Sequence, residues 1–180
     1  RAAALCSRPC DPGTVLFEGT SVSEGRGTTR PFELVGAPGI VAEQFADDMN
    51  RRSLPGVLFR PAAFEPTFHK HAKQGCGGCQ IHVRDRRTFR PVVTGVALIA
   101  AVRAANPDQF RWRDPPYEYE HEKLPFDILA GSSELLPASS AGLSFRTNRC
   151  SSARRISRHW MAHALQTRRA IVWYGYTLIA

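Results

Sequence analysis

Apolar and polar residues alternate along this chain in a few short, separable blocks. From Ile40 to Arg52, the apolar Ile40, Val41, Phe45, Ala46 and Met49 stand against Glu43, Asp47, Asp48 and Arg51. That spacing gathers the apolar side chains on one face of a helix, and Pro55-Gly56 ends it. Val57 to Arg60 predicts a strand. Gln80 to Val83 alternates polar and apolar, as a half-buried strand does. Val92 to Arg103 is apolar almost throughout, with Pro91 before it and Asn106-Pro107 after it, and reads as a buried helix. Phe126 to Leu129 predicts a short helical turn closed by Gly131, and Ser132 to Leu136 the beginning of another helix. Near the front, Thr14 to Phe17 predicts a strand that runs into a Gly-rich stretch from Gly19 to Pro38. The fold class that follows is mixed α/β (α+β): a single compact module with a mixed sheet and flanking helices.

Charge changes this picture at one end only. The net charge is +8, but residues 1–138 hold 17 Lys+Arg and all 16 Asp+Glu, whereas residues 139–180 hold 7 Arg and no acid. A tail of that kind can attract phosphates, and Trp160, Trp173 and Tyr174 could stack on single-stranded bases. A foreign or misread C-terminus explains the same composition, and no nucleic-acid motif accompanies it. The expected organisation is therefore a foreign or truncated leader at 1–11, a folded domain at 12–138 and an Arg-rich tail at 139–180, with no nucleic-acid partner for the folded part. No apolar run reaches the ~18–20 residues that a membrane helix needs, so no membrane partner is expected. Five cysteines, Cys6, Cys10, Cys76, Cys79 and Cys150, leave at least one unpaired within the chain and do not have the spacing of a small disulfide framework.

Candidate chemistry concentrates in the Gly-rich stretch. Glu24 and Arg26 lie between Gly19, Gly25 and Gly27, with the hydroxyls of Ser23 and Thr28 close by. Glycines let a backbone turn tightly and approach a ligand, and a carboxylate with a guanidinium can bind sugar hydroxyls or carry acid–base chemistry. The competing account is internal: Glu24 paired with Arg26 or Arg30, and Arg26 paired with Glu18, Glu24 or Glu33. His69, His71, Cys76 and Cys79 form a His-x-His and Cys-x-x-Cys set within 11 residues, which raises a zinc site. The expectation is nevertheless no metal and no cofactor. The run Tyr117-Glu118-Tyr119-Glu120-His121-Glu122 either offers tyrosines to sugar rings or is an exposed strand or loop.

A set of ordered segments resembles one known family. It comprises Pro12-Gly13-Thr14-Val15-Leu16-Phe17-Glu18-Gly19-Thr20, Ser23-Glu24-Gly25-Arg26-Gly27-Thr28-Thr29-Arg30-Pro31-Phe32-Glu33 and Gly36-Ala37-Pro38. Phe64-Glu65-Pro66-Thr67-Phe68, Lys70-His71, Cys76-Gly77-Gly78, Gln80-Ile81-His82-Val83, Phe89-Arg90-Pro91-Val92, Pro125-Phe126-Asp127 and Gly131-Ser132 complete it. Together these resemble the later part of the NamZ-type (YbbC-like) exo-β-N-acetylmuramidases, over about Pro12 to Leu136. Ser21, Gly39 and Cys79 depart from the family's pattern, where Asn, Trp and an apolar residue are usual.

The resemblance implies a glycoside hydrolase that removes N-acetylmuramic acid from the non-reducing ends of peptidoglycan fragments. It implies a bacterial protein, secreted or periplasmic, with a muropeptide or disaccharide as partner. Family members have a Rossmann-like first domain and a smaller second domain that close a cleft between them. This chain matches the second, so the first domain is an expected partner and the chain alone is expected to be inactive or poorly active. Glu24 is then the candidate catalytic carboxylate, although the principal acid is expected on the other domain. Ser23, Arg26, Thr28 and His71 are the candidate substrate-binding residues, with Arg26 suited to the lactyl carboxylate of muramic acid. A domain made to face another should expose apolar side chains near the loop, around Phe64 and Phe68. The other readings are a non-catalytic carbohydrate-binding module and a nucleic-acid binder acting through its tail.

Overall fold

The computed structural model of the protein describes residues 9–131 and 133. The sheet has three strands, β1 (Leu34–Ala37), β2 (Val57–Phe64) and β3 (Cys76–Val83), in the order β1-β3-β2. The helices are α1 (Asp11–Thr14), α2 (Ala42–Arg51), α3 (Pro91–Ala105) and α4 (Pro125–Ala130), with a 3-10 helix at Val15–Gly19 directly after α1. The fold is α+β. Its sheet is antiparallel throughout, not mixed. Strands β1 and β2 run the same way and are joined through α2, but β3 lies between them, so no parallel pair forms.

Register sets which face is apolar. Val35 stands opposite Cys79 and Phe59 opposite Ile81, and because strand side chains alternate, all four point to one side. All four are buried. Helix α2 packs on β2 and β3 with Phe45, Ala46 and Met49, the face that the sequence spacing predicts. Its Asn50 also covers the outer edge of β2. The side-chain amide donates to the Phe59 carbonyl at 2.8 Å and its oxygen accepts from the Phe59 N–H at 2.9 Å, so an edge pair of hydrogen-bonding groups is satisfied within the chain.

Helix α3 is the centre of the core. Val96, Leu98, Ile99 and Val102 are all 1% exposed or less, as an apolar-all-round helix demands. Gly95 permits a close crossing by α1: a Cβ there would lie 2.2 Å from the Gly13 carbonyl oxygen.

The strand expected at Thr14–Phe17 is instead the end of α1 and the start of the 3-10 helix. Pro12 sits in the first turn of α1, and the Thr14 hydroxyl donates back to the Cys10 carbonyl at 3.1 Å. A short apolar run fits either structure by periodicity alone; here Leu16 and Phe17 are buried by the helical path, which packs on α3 and α4. Helix α4 ends at Gly131 in the left-handed region, φ 68°. Strands β2 and β3 extend beyond the expected Val57–Arg60 and Gln80–Val83. Among the described residues, no helix is long and apolar enough to cross a membrane. Apart from Ser133, the expected helix start at 132–136 lies outside the described residues, as do the tail at 139–180 and most of the leader.

Candidate functional site

The Gly-rich loop, residues 19–33, runs beside the free edge of β1. Ser23 N–H donates to the Gly36 carbonyl at 2.9 Å, and Gly36 N–H to the Ser23 carbonyl at 3.1 Å. The Ser23 hydroxyl accepts from Gly25 N–H at 3.2 Å. The Thr28 hydroxyl donates to the Gly25 carbonyl at 2.6 Å and accepts from Arg30 N–H at 3.1 Å. Both hydroxyls therefore shape the loop. Gly27 holds φ 80°, and a Cβ on it would lie 2.6 Å from the Phe68 carbonyl oxygen. Its own carbonyl accepts from both the N–H and the hydroxyl of Thr67, each at 2.9 Å. The loop is thereby clasped to the segment 65–75 that joins β2 to β3.

That segment supplies Lys70. Its ammonium donates to the Phe17 carbonyl at 2.7 Å, the Val22 carbonyl at 3.0 Å and Glu24 Oε2 at 2.8 Å. Glu24 is 0% exposed. Its Oε1 lies 3.2 Å from Arg26 Nε, in an ion pair without hydrogen-bond geometry. The Arg26 guanidinium also pairs with Glu18 Oε1 and lies 4.9 Å above the Phe32 ring. Glu18 Oε2 accepts from the Tyr117 hydroxyl at 2.9 Å. Two buried carboxylates thus meet two cations, the balance that buried charge requires. Burial lowers the Lys70 pKa, and Glu24 partly offsets that.

His69 Nδ1 is 3.7 Å from Glu24 Oε1. Burial lowers the ring's pKa more than Glu24 raises it, with Lys70 and Arg26 adding to the fall, so the ring is mainly neutral at pH 7. His69, His71 and Lys73 all have positive φ, at 72°, 55° and 60°. Left-handed backbone costs an ordinary residue about 1–2 kcal/mol, and several ties hold it here. His71 Nε2 is 2.8 Å from the Ser21 carbonyl oxygen and donates to it; Lys73 N–H donates to Pro66 at 2.7 Å and Gln74 N–H to His71 at 3.0 Å. Strain maintained in this way is characteristic of functional segments.

A third segment, Gln109 to Arg113, closes the arrangement. Arg111 N–H donates to the Ser21 hydroxyl at 2.9 Å, and Arg113 N–H to the Gly19 carbonyl at 3.0 Å. Trp112 packs between Phe110 and Phe126, with ring centroids 5.0 and 4.7 Å away. The three segments border an open cleft of about 450 Å³ lined by Thr20, Ser21, His69, Lys70, His71 and Arg113. A second hollow, of about 600 Å³, lies between α2 and the β2–β3 end and includes Val41, Phe64 and Cys76.

Of the residues singled out from the sequence, Glu24 and Arg26 are at the centre of the charge cluster, Ser23 and Thr28 brace the loop, and His71 reaches the cleft wall. The four residues of the zinc reading diverge. Cys79 is in the core, Cys76 three residues away points to the other face of β3, His71 is bonded to Ser21 and His69 faces Glu24. Among the described residues, no group of three or more His, Cys, Asp or Glu side chains could hold a metal. Burial pushes the Cys76 thiol up to about 11 and raises that of Cys79 as well. Tyr117 turns inward to Glu18 while Tyr119 is exposed. Phe68 is 57% exposed and Phe64 half-buried. Lys70 and Arg113 were not legible as site residues, nor was the inward bond of Tyr117 to Glu18. Lys70 meets partners 46 to 53 positions away, and Tyr117 lies 99 from Glu18; local spacing carries no such signal.

Fold and site together define a small α+β domain with a charge-lined cleft over a buried Glu–Lys–Arg cluster. The chain belongs to the family described as exo-β-N-acetylmuramidase NamZ, C-terminal, whose profile matches residues 10–161. It is 48% identical over 101 residues to the peptidoglycan β-N-acetylmuramidase NamZ of Bacillus subtilis (strain 168), a match that covers 56% of this chain and 24% of that protein. A crystal structure of a DUF1343 family protein from Bacteroides fragilis superposes with a TM-score of 0.62 at 25% identity, covering 84% of this chain and 40% of the other. A second such protein from the same organism shares the fold, with a TM-score of 0.50 at 17% identity over 86% and 38% of the two chains. The chain thus spans less than half the length of each of these relatives.

Proposed function

We propose that this domain forms one wall of the substrate cleft of a peptidoglycan-directed glycoside hydrolase that releases N-acetylmuramic acid from non-reducing ends. Family membership supports the hydrolase class, and the activity in the name of the B. subtilis relative supports the substrate. One observation carries the site: a fully buried carboxylate, Glu24, is held by Lys70 and Arg26 behind a cleft, its Oε1 without a hydrogen bond and 3.7 Å from His69. Burying a charge costs several kcal/mol even when it is paired, and such arrangements cluster where charge is used. Glu24 does not reach the cleft in this conformation, so in this reading it acts on the chemistry through His69, which does. Ser23, Arg26 and Thr28 keep the loop in the shape that places Glu24. His71 borders the sugar. Glycosidases work with two carboxylates about 5–10 Å apart, and the principal acid belongs to the Rossmann-like domain that the family resemblance implies.

The test mixes the full chain with the part of the B. subtilis relative that lies outside the match and assays a chromogenic muramic acid glycoside. Turnover should need both parts and should fall at least about 100-fold in Glu24→Gln, the scale on which a preorganised electrostatic group contributes. Turnover unchanged by Glu24→Gln removes the cluster from the mechanism. Robust turnover by the chain alone, lost in Glu24→Gln, makes Glu24 itself the principal carboxylate.

A further inference from the structure

The cations around the cleft are not equivalent. Lys70 spends three donors on Phe17, Val22 and Glu24. Arg26, the residue that the sequence suggests for an anionic substrate group, is committed to Glu18 and Glu24. Arg113 differs from both. No carboxylate forms an ion pair with it among the described residues, and its side chain donates a long hydrogen bond, 3.4 Å, to the Glu18 carbonyl. Its side chain is exposed and lines the cleft beside His69, Lys70 and His71. Its backbone, by contrast, is fixed. Arg113 N–H is bonded to Gly19, Thr20 pairs with Trp112, and Trp112 is wedged against Phe110 and Phe126. The carboxylates nearest the cleft, Glu18 and Glu24, are already met by Arg26, Lys70 and Tyr117. The result is an accessible guanidinium carried on a fixed backbone, lining a cleft with surplus positive charge.

We propose that Arg113 is the specificity residue of this cleft and that it takes the carboxylate of an anionic sugar. The guanidinium fork matches a carboxylate in a bidentate pair, which an ammonium cannot do. This rests on the reading of the ligand as N-acetylmuramic acid, which carries a lactyl carboxylate that N-acetylglucosamine lacks. Arg113 then separates the two sugars, while the rest of the cleft meets what they share.

Binding to the full chain would be measured by NMR titration with four probes: N-acetylmuramic acid, N-acetylglucosamine, lactate and inorganic phosphate. N-acetylmuramic acid should bind at least about tenfold more tightly than N-acetylglucosamine, the value of one charge-assisted hydrogen bond. Arg113→Gln should erase that ratio without weakening N-acetylglucosamine. Arg113→Lys should restore only part of it. Because Arg113 is exposed, an unchanged thermal midpoint shows that the variants are folded. A ratio that survives Arg113→Gln, or no preference in the wild type, overturns the assignment but leaves the amino-sugar reading standing. Lactate bound through Arg113 as tightly as N-acetylmuramic acid keeps the carboxylate site and removes the sugar. Phosphate that binds more tightly than lactate overturns the carboxylate assignment, as does the absence of binding by every probe.

Discussion

Around α3, Leu98, Ile99 and Val102 join an apolar cluster that reaches from the sheet to α4. Across the 3-10 helix from it, Glu24 is as thoroughly buried, yet its neighbours are Arg26, Lys70 and His69. The apolar half needs only volume and shape, so many sequences would satisfy it. The charged half needs particular partners, because a buried charge that loses its counter-charge becomes a liability. One region is tolerant and the other is conditional.

The largest expected effect lies in the tolerant region. Phe126, at 0% exposure, packs on Trp112 and on the 3-10 helix. Phe126→Ala should cost about 3–5 kcal/mol and lower the thermal midpoint by well over about 10 °C. A loss under about 1 kcal/mol would show that the site collapses to fill the space and that this core is less demanding than its burial suggests.

The cluster should respond less, but not additively. Lys70→Met leaves Glu24 buried with Arg26 as its remaining cation, at a cost of about 3 kcal/mol. Glu24→Gln with Lys70→Met removes both charges of the pair and should recover part of that loss, with a coupling of about 1–2 kcal/mol in denaturant unfolding. Losses that simply add would mean that the pair is not a unit, and the contrast between the two regions would fail.

The smallest effect sharpens the contrast through pH. Burial lowers the pKa of His69 in the cluster and of His82 on the sheet, the latter with help from Arg60. A folded-state pKa below the unfolded value near 6.5 means that folding favours the neutral ring. The stability this contributes is intact above about pH 6.5 and is lost as pH falls through the folded values. Between pH 7.5 and 5.5 the wild type should lose a few degrees more of thermal midpoint, roughly, than His69→Asn or His82→Asn. Parallel pH profiles in all three proteins would show that neither ring is held neutral by the fold.

How much of this was legible in the sequence divides along the same line. Helices α2 and α3, the helical turn at α4 and strands β2 and β3 follow from periodicity, because burial on one face is a local pattern; β1, four residues buried throughout inside the Gly-rich stretch, shows no alternation and was not read as a strand. The Glu24–Arg26 pair was within reach because its members are two residues apart. The error at Thr14–Phe17 came from an apolar run too short to distinguish strand from helix, decided by packing against α3 and α4. Lys70 and Arg113 were out of reach for a different reason. Their meaning depends on which backbone carbonyls and carboxylates the three segments bring to them, and no spacing rule encodes that. The family resemblance covered the Gly-rich loop and Lys70-His71 but no piece of Gln109 to Arg113, and it assigned Lys70 no role.

Lys70 has a consequence in the language of reactivity. A lysine amine is acylated through its free base, and only where the reagent can reach the nitrogen. Here that nitrogen is held by three acceptors, Phe17, Val22 and Glu24, all from the chain that faces its own segment across the clasp. It becomes nucleophilic only in molecules whose loops have parted, a local opening that can be far commoner than global unfolding. Lys73, exposed three residues away, reacts in every molecule. The ratio of the two acylation rates is therefore a built-in gauge of how often the clasp between residues 19–33 and 65–75 comes undone.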